Sequence, residues 1–297
     1  MLKISRRALI AGLSTLAIPG LLNCTKQEKP QILKTPIKQD FDLKEKPQPL
    51  KNTISPVMLS TGGLGLDVII DMNHNSIVTD FSLMRNQSNI LGIIHKASEG
   101  GDWLDPMYKA RQIQAEASDL LWGAYHFGTH QYSGAQQATS FLTIVQPKLT
   151  TLMALDLEPN ERNPRNTMDL AQAEDFVRTI YQATGRWPLV YTHPNWANGK
   201  IYGHSRLSLG KSIGNNSILA KCDLWLADYR VQPELPLAWT KKRWRFWQYA
   251  GDDHRGGGGP LGSLSRAVAG VNRCDRNMFL GDVATLYKYW NNEIDVV

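Results

Sequence analysis

The run Thr151-Leu-Met-Ala-Leu-Asp-Leu-Glu158 constrains this chain more than any other stretch, because an almost wholly apolar segment ends by presenting two carboxylates. Pro147 precedes it and Pro159-Asn160 follow it. An apolar run this short, bounded by turn formers, reads as a buried strand rather than a helix. Residues two apart on a strand project to one side. Asp156 and Glu158 therefore share a face, while Leu155 and Leu157 pack on the other. Two carboxylates so close resist simultaneous ionisation, and the more buried one holds its proton towards neutral pH. A general acid beside a charged carboxylate is the arrangement used in glycoside hydrolysis. A strand end carrying two solvated acids is the alternative that the spacing leaves open.

From Gly65 onward, strand-like and helix-like apolar patterns alternate, which predicts a mostly parallel α/β sheet or barrel. Strands are expected at Leu66–Asp71, Ile90–Ala97, Leu120–Phe127, Thr151–Glu158, Trp187–Thr192, Leu224–Tyr229, Arg245–Tyr249 and Val268–Cys274. Helices are expected near Phe81–Gln87, Pro106–Ser118, Gly134–Val145, Asp169–Thr184 and Val283–Trp290. Eight strands with fewer than eight helices predict an irregular TIM-like β/α barrel, since the last three strands are joined by weak helical patterns. Active sites in such barrels sit at the carboxyl ends of the strands. Those ends carry Asp71, Lys96 with Glu99, His126, Asp156 with Glu158, Tyr191, Asp228 with Tyr229, Gln248 and Asp275, which predicts one convergent site.

Residues 1–24 read as an export signal, with Lys3, Arg6 and Arg7 ahead of an apolar stretch too short and too interrupted to span a membrane. Ser5-Arg-Arg-Ala-Leu-Ile10 resembles a twin-arginine signal, and Leu21-Leu-Asn-Cys24 resembles a lipoprotein cleavage site. Both a lipid anchor at Cys24 and an unmodified exported chain stay open. Residues 25–60 are rich in Lys, Gln, Pro and Glu and read as a flexible tether. Such a tether has an end-to-end distance of about 35 Å. Residues 61–297 then form the expected catalytic barrel. The expected station is periplasmic, with membrane anchoring through Cys24 or outright secretion as alternatives.

The net charge of +6 favours an anionic partner. No basic cluster interleaved with aromatics forms a nucleic-acid motif, so nucleic acid ranks well below a cell-wall polymer. Nine Trp and ten Tyr exceed what a minimal core requires. Tyr125, Trp225 and Trp247 are candidate sugar contacts, with core packing as the default for any single ring. His126 and His130 stand four apart, but they follow a strand and no third ligand is evident. Neither a metal nor a cofactor is expected. Cys222, at the start of one strand, and Cys274, at the end of another, would lie on opposite rims of a parallel barrel. That separation is about 15 Å, beyond the ~7 Å that a disulfide tolerates, so two free thiols are expected.

An ordered set of motifs resembles the glycoside hydrolase family 25 lysozymes, the Chalaropsis-type muramidases. It runs Ile70-Asp-Met-Asn-His74, His95-Lys-Ala-Ser-Glu-Gly100, Asp105-Pro106, Gly123-Ala-Tyr-His-Phe127, Ala154-Leu-Asp-Leu-Glu158, Leu224-Trp-Leu-Ala-Asp-Tyr229, Phe246-Trp-Gln-Tyr249 and Asp275-Arg-Asn-Met-Phe279. The resemblance implies cleavage of the β-1,4 bond between N-acetylmuramic acid and N-acetylglucosamine in peptidoglycan. It places Glu158 on the proton donor and Asp156 on the supporting carboxylate, with Asp71 and Asp275 as further acids of the groove. Peptidoglycan glycan strands are then the expected partner, and the chain is expected to act as a monomer. The chain departs from the family at Asn73 and Ser76, in the length of 195–221, and in an Asp252–Gly262 loop with four successive glycines that could form a binding lip.

Two rival readings remain. A chitinase-like hydrolase also places an acid pair after a barrel strand, but usually with further upstream acids where this chain has Thr151 and Ala154. An inactive wall-binding module would have no evident need for crowded, mutually opposed carboxylates.

Overall fold

The computed structural model describes Ile54, Val57–Met58 and residues 64–251 and 267–293. The export signal, all but three residues of the expected tether, and the glycine-rich lip lie outside the described residues. The elements run β1 (Val57–Met58), β2 (Leu64–Met72), α1 (Phe81–Ser88), β3 (Gly92–Glu99), β4 (Trp103–Leu104), α2 (Tyr108–Ala117), β5 (Leu121–Phe127) and α3 (Gly134–Val145). They continue with β6 (Leu152–Asp156), α4 (Leu170–Thr184), β7 (Leu189–Thr192), α5 (Pro194–Ala197), β8 (Leu224–Ala227), β9 (Trp244–Ala250), β10 (Asp275–Leu280) and α6 (Val283–Trp290).

Eight of the strands close on themselves in the order β2-β10-β9-β8-β7-β6-β5-β3, with β2 pairing back to β3. The two-residue strands β1 and β4 are antiparallel additions to β2 and β3. The result is a closed α/β barrel with eight strands and, among the described residues, six α-helices. Period-two alternation sorts the side chains of each strand. Ile94, Ala154, Leu189, Trp225, Phe246 and Phe279 fill the interior. Ile93, Leu155, Val190, Leu226 and Trp247 face outward into the layer beneath the helices, beside Phe141 of α3 and Phe176 of α4. Two of those helices begin with reciprocal capping boxes, Ser133 with Gln136 on α3 and Asp169 with Gln172 on α4, which satisfy their first backbone donors.

One expected strand is misplaced. Val268–Cys274 is a turn-rich approach, in which Gly270 adopts φ +88° and its carbonyl accepts from Thr79 N at 2.8 Å. The strand proper is Asp275–Leu280, and it runs antiparallel to both β2 and β9. Antiparallel neighbours need no crossover helix, which accounts for the weak helical pattern between β9 and β10. The reversal also brings the start of β10, with Asp275, to the rim where the parallel strands end. Cys274 therefore sits on that rim, at the start of a strand rather than its end, while Cys222 precedes β8 on the other rim. Both thiols are free.

The opposite rim is closed by α6. Leu286, Tyr289 and Trp290 join the interior cluster, and the Trp290 indole donates to the Trp122 carbonyl at 3.2 Å. Space for that indole comes from two strand glycines. A Cβ on Gly92 would stand 3.0 Å from the Trp290 ring, and one on Gly123 would stand 3.3 Å from it. The plug turns the barrel into a cup open at one end only. Trp290→Ala leaves a large void that the rigid strands cannot fill, so we expect a loss of about 3–5 kcal/mol, read as a lower midpoint in chemical denaturation with unchanged slope.

Candidate active site

The carboxyl rim opens into a cleft of about 690 Å³. Asp71, Lys96, Glu99, Tyr125, Asp156, Glu158, Tyr191, Trp225, Gln248 and Asp275 all line it. Asp156 is the last residue of β6, and Glu158 lies two residues on, with Leu157 buried between them against the outer layer. The alternation that buries the leucines aims both acids into the cup.

Opposite this pair stands a second pair of acids. Asp71 on β2 and Asp275 on β10 are direct cross-strand partners. Like charges in that relation repel, and an amide separates them. Gln248 on β9 donates through Nε2 to Asp71 at 2.9 Å and to Asp275 at 3.3 Å. Its Oε1 accepts from the hydroxyls of Tyr191, 2.9 Å, and Tyr229, 2.8 Å. A carbonyl oxygen only accepts and an amide nitrogen only donates. The two tyrosines thus fix which end of the amide meets the acids. Asn277 on β10, fully buried, repeats the device: its Nδ2 donates to Asp71 at 2.8 Å and its Oδ1 accepts from Trp225 Nε1 at 2.7 Å.

Burial sets the protonation of the first pair. The Glu158 carboxyl is pushed up to about 7, chiefly by loss of solvent, with Glu161 and Asp71 adding to the rise and Lys96 opposing it. Asp156 is also raised, first by burial and then by the charge of Glu158. Its Oδ1 is buried and has no hydrogen-bond partner among the described residues. Groups this close titrate as a pair, and the pair retains a proton at neutral pH. Lys96 is the nearby counter-charge. Its Nζ lies 2.7 Å from Glu99 and about 5 Å from the ring centres of Trp103 and Phe127, at 5.0 and 4.9 Å.

His95 follows Ile94, so strand alternation turns it outward, where its ring stacks on Trp122 and meets the edge of Tyr108. His95 bonds the Lys96 carbonyl through Nδ1 at 2.7 Å and meets Arg111 Nη1 through Nε2 at 2.9 Å, and burial lowers it to about 4. The ring therefore donates at Nδ1 and accepts at Nε2. Arg111 Nη1 also donates to the Asn73 carbonyl at 2.8 Å, tying the β2–α1 loop to the rim. Asn73 itself lines the cleft.

Three of the expected site residues lie elsewhere. His126 follows Tyr125, so strand alternation turns it outward, where Nδ1 meets Ser98 Oγ at 2.8 Å and Nε2 meets Gln137 Oε1 at 3.1 Å. Trp247 precedes Gln248 and likewise points outward, donating to the Asp228 carbonyl at 2.6 Å. Asp228 is buried beyond the end of β8 and held by Arg230, with Nη2 2.6 Å from its carboxylate. Tyr229 reaches the site through Gln248 alone, and His130 meets Gln172 and Asp169 on the surface. Among the described residues no group of three or more His, Cys, Asp and Glu could hold a metal ion. Asn277 is the residue that sequence reasoning missed. It lies two positions after Asp275 and so faces the same way, the signal that would have found it.

A carboxyl raised by folding favours the native state most below its unfolded pKa. That contribution is lost as pH rises from 4.5, its ordinary value, to the folded value of about 7. Glu158→Gln removes the penalty. At pH 8 we expect the variant to be more stable than the wild type, by on the order of 3 kcal/mol, with the gain vanishing near pH 4. Denaturant melts of both proteins across this range measure it.

The profile of Glycosyl hydrolases family 25 matches residues 70–257. Lysozyme M1 of Streptomyces globisporus is 28% identical over 259 residues, covering 82% of this chain and 76% of that protein. The crystal structure of a bacterial lysozyme from Streptomyces coelicolor superimposes with a TM-score of 0.62 at 25% identity, covering 79% of this chain and 100% of that one. A muramidase structure from Acremonium alcalophilum gives a TM-score of 0.57 at 28% identity, over 75% of this chain and 98% of that one. With the profile spanning most of the chain and the barrel shared along its length, this protein belongs to glycosyl hydrolase family 25 and is a glycoside hydrolase.

Proposed function

We propose that the protein is a peptidoglycan muramidase, cleaving the β-1,4 bond between N-acetylmuramic acid and N-acetylglucosamine. The observation that carries the reading is the Asp156–Glu158 pair, two raised carboxyls sharing one face of an open cleft. The names of its relatives, lysozyme and muramidase, point the same way.

In this reading Glu158 is the general acid. It gives its proton to the glycosidic oxygen as the bond to the anomeric carbon breaks. Asp156 receives the N–H of the substrate's own acetamido group at Oδ1, the atom with no partner in the free cleft. That hydrogen bond favours the ionised form of Asp156 and leaves the pair's proton on Glu158. The acetamido oxygen then bonds to the anomeric carbon from the opposite face, one of the recognised exceptions to a carboxylate nucleophile. Water next attacks that carbon, returning its proton to Glu158 and releasing the acetamide. Asp71 and Asp275, held by Gln248 and Asn277, bind hydroxyls along the groove. Lys96, Tyr125, Tyr191 and Trp225 form its walls.

Two outcomes follow. Digests of purified peptidoglycan, reduced with borohydride, should contain reduced muramic acid ends, and Glu158→Gln should lower their formation by about 100- to 10,000-fold. Reduced glucosamine ends would mean a different bond, and full activity in the variant would remove Glu158 from its role. The wild-type kcat/KM should fall about tenfold per pH unit above about 7 as the acid loses its proton.

We further propose that residues 1–24 direct export, that 25–60 tether the barrel of 61–297, and that Cys24 carries a lipid holding the enzyme at the periplasmic face of a membrane. The supporting features are the paired arginines and the Leu-Leu-Asn-Cys24 site. Mass spectrometry of the membrane-extracted protein should find a chain beginning at a lipid-modified Cys24. An unmodified chain starting elsewhere would end the lipid-anchor reading and leave the periplasm or secretion as the station.

A further inference from the structure

A second hollow, about 620 Å³, lies on the rim of the barrel away from the catalytic cleft. Its walls come from the approach to β7 at Trp187, the approach to β9 at Lys242, and the ends of α4 and α6. All of these are at the amino ends of the parallel strands. The two hollows are therefore separated by the length of the barrel, roughly 20 Å for strands of about six residues.

What faces solvent there is an aromatic platform beside positive charge. The Tyr181 ring, 40% exposed, stacks on Trp187 with centroids 4.0 Å apart and planes 10° apart. Lys221 Nζ lies 5.7 Å from the centre of the Trp187 ring. The platform is held rigidly from below. Arg186 donates to the last carbonyls of α6, Tyr289 at 2.8 Å and Trp290 at 2.9 Å, so its charge is engaged with a helix terminus. Asp223 is buried beside Arg245, 3.6 Å away. The exposed charges of the lining are Lys221 and Lys242, whose Nζ donates to the Lys221 carbonyl at 2.9 Å, and the amides of Asn215 and Asn216 line the hollow with them.

A pre-stacked aromatic face offers a flat apolar surface to the C–H side of a sugar ring, and amides meet its hydroxyl and acetamido groups. Two ammonium groups beside it select an anionic chain over a neutral one. We propose that this hollow is a second, non-catalytic binding site for a peptidoglycan strand, with a sugar ring on Tyr181 and stem-peptide carboxylates at Lys221 and Lys242. The proposal rests on the muramidase reading. A wall presents many neighbouring strands, so an enzyme gripping one strand at this rim holds its cleft against others, at a high effective concentration.

The test separates binding from cleavage. In the Glu158→Gln background, the full chain is sedimented with insoluble peptidoglycan, with and without the triple change Tyr181→Ala, Lys221→Glu and Lys242→Glu. The triple change should weaken binding about tenfold or more, a loss of about 1.4 kcal/mol or more, while Tyr181→Phe, which keeps the platform, should bind as the parent does. In the otherwise wild-type enzyme the triple change should slow digestion of the insoluble polymer and leave hydrolysis of a short soluble glycan fragment at its normal rate. Equal sedimentation of parent and triple variant, a parent that does not sediment, or a fragment rate that falls together with binding would each overturn the proposal. A wild-type enzyme that cleaves neither polymer nor fragment would refute the muramidase reading, and the sedimentation comparison would still report on this rim.

Discussion

Four carboxylates crowded into one cup are the constraint on which the rest of this structure depends. Asp71, Asp156, Glu158 and Asp275 line a single cleft, and burial alone would drive several of them to hold protons. The protein treats the two pairs differently. Asp71 and Asp275 receive amide donors from Gln248 and Asn277, which favour the charged form. Asp156 and Glu158 have Lys96 as an opposing charge, yet burial dominates and both rise. One pair is engaged by amide donors, and the other is raised by burial and crowding. In the proposed reading, that difference between the pairs is what assigns acid and acceptor roles.

The scaffold serves that division. Gln248 can bridge Asp71 and Asp275 only because β10 runs antiparallel between β2 and β9, bringing its first residue to the rim where its neighbours end. Tyr191 and Tyr229 then orient the amide, and Trp225 orients Asn277. At the far end, Trp290 over Gly92 and Gly123 closes the barrel against solvent. The packed interior beneath the acids supplies the burial that raises Glu158. If Glu158 is the acid proposed above, stability and chemistry are opposed at that residue, since a raised carboxyl weakens the fold wherever the solution would take its proton away.

Much of this was legible in the sequence. The run ending in Asp156 and Glu158 announced both the strand and the site, and the polar strand ends located the cleft. The misplaced site residues share one physical origin. Tyr125 and His126, or Trp247 and Gln248, are consecutive on strands and cannot both face inward, yet strand ends and aromatic content together assigned both members of each pair to the site. The same alternation, counted from Asp275, would have found Asn277. Val268–Cys274 misled because an apolar stretch resembles a strand until its turn geometry is seen: Gly270 bonds back to Thr79 and the pairing starts only at Asp275. Which carboxylates would be paired with amides and which left to crowd one another depends on contacts across 177 and 206 residues of chain, from Gln248 and Asn277 to Asp71, and no local pattern carries that.

The central claim is that Glu158 donates a proton while Asp156 steers the substrate's acetamido group, a sequence that uses both faces of the anomeric carbon and so returns it to its starting configuration. Proton NMR of the first minutes of a digest, before mutarotation, measures that configuration directly. The account predicts the β-anomer at the new reducing end. Initial appearance of the α-anomer would mean that water attacks in a single displacement, and it would contradict the assignment of Asp156.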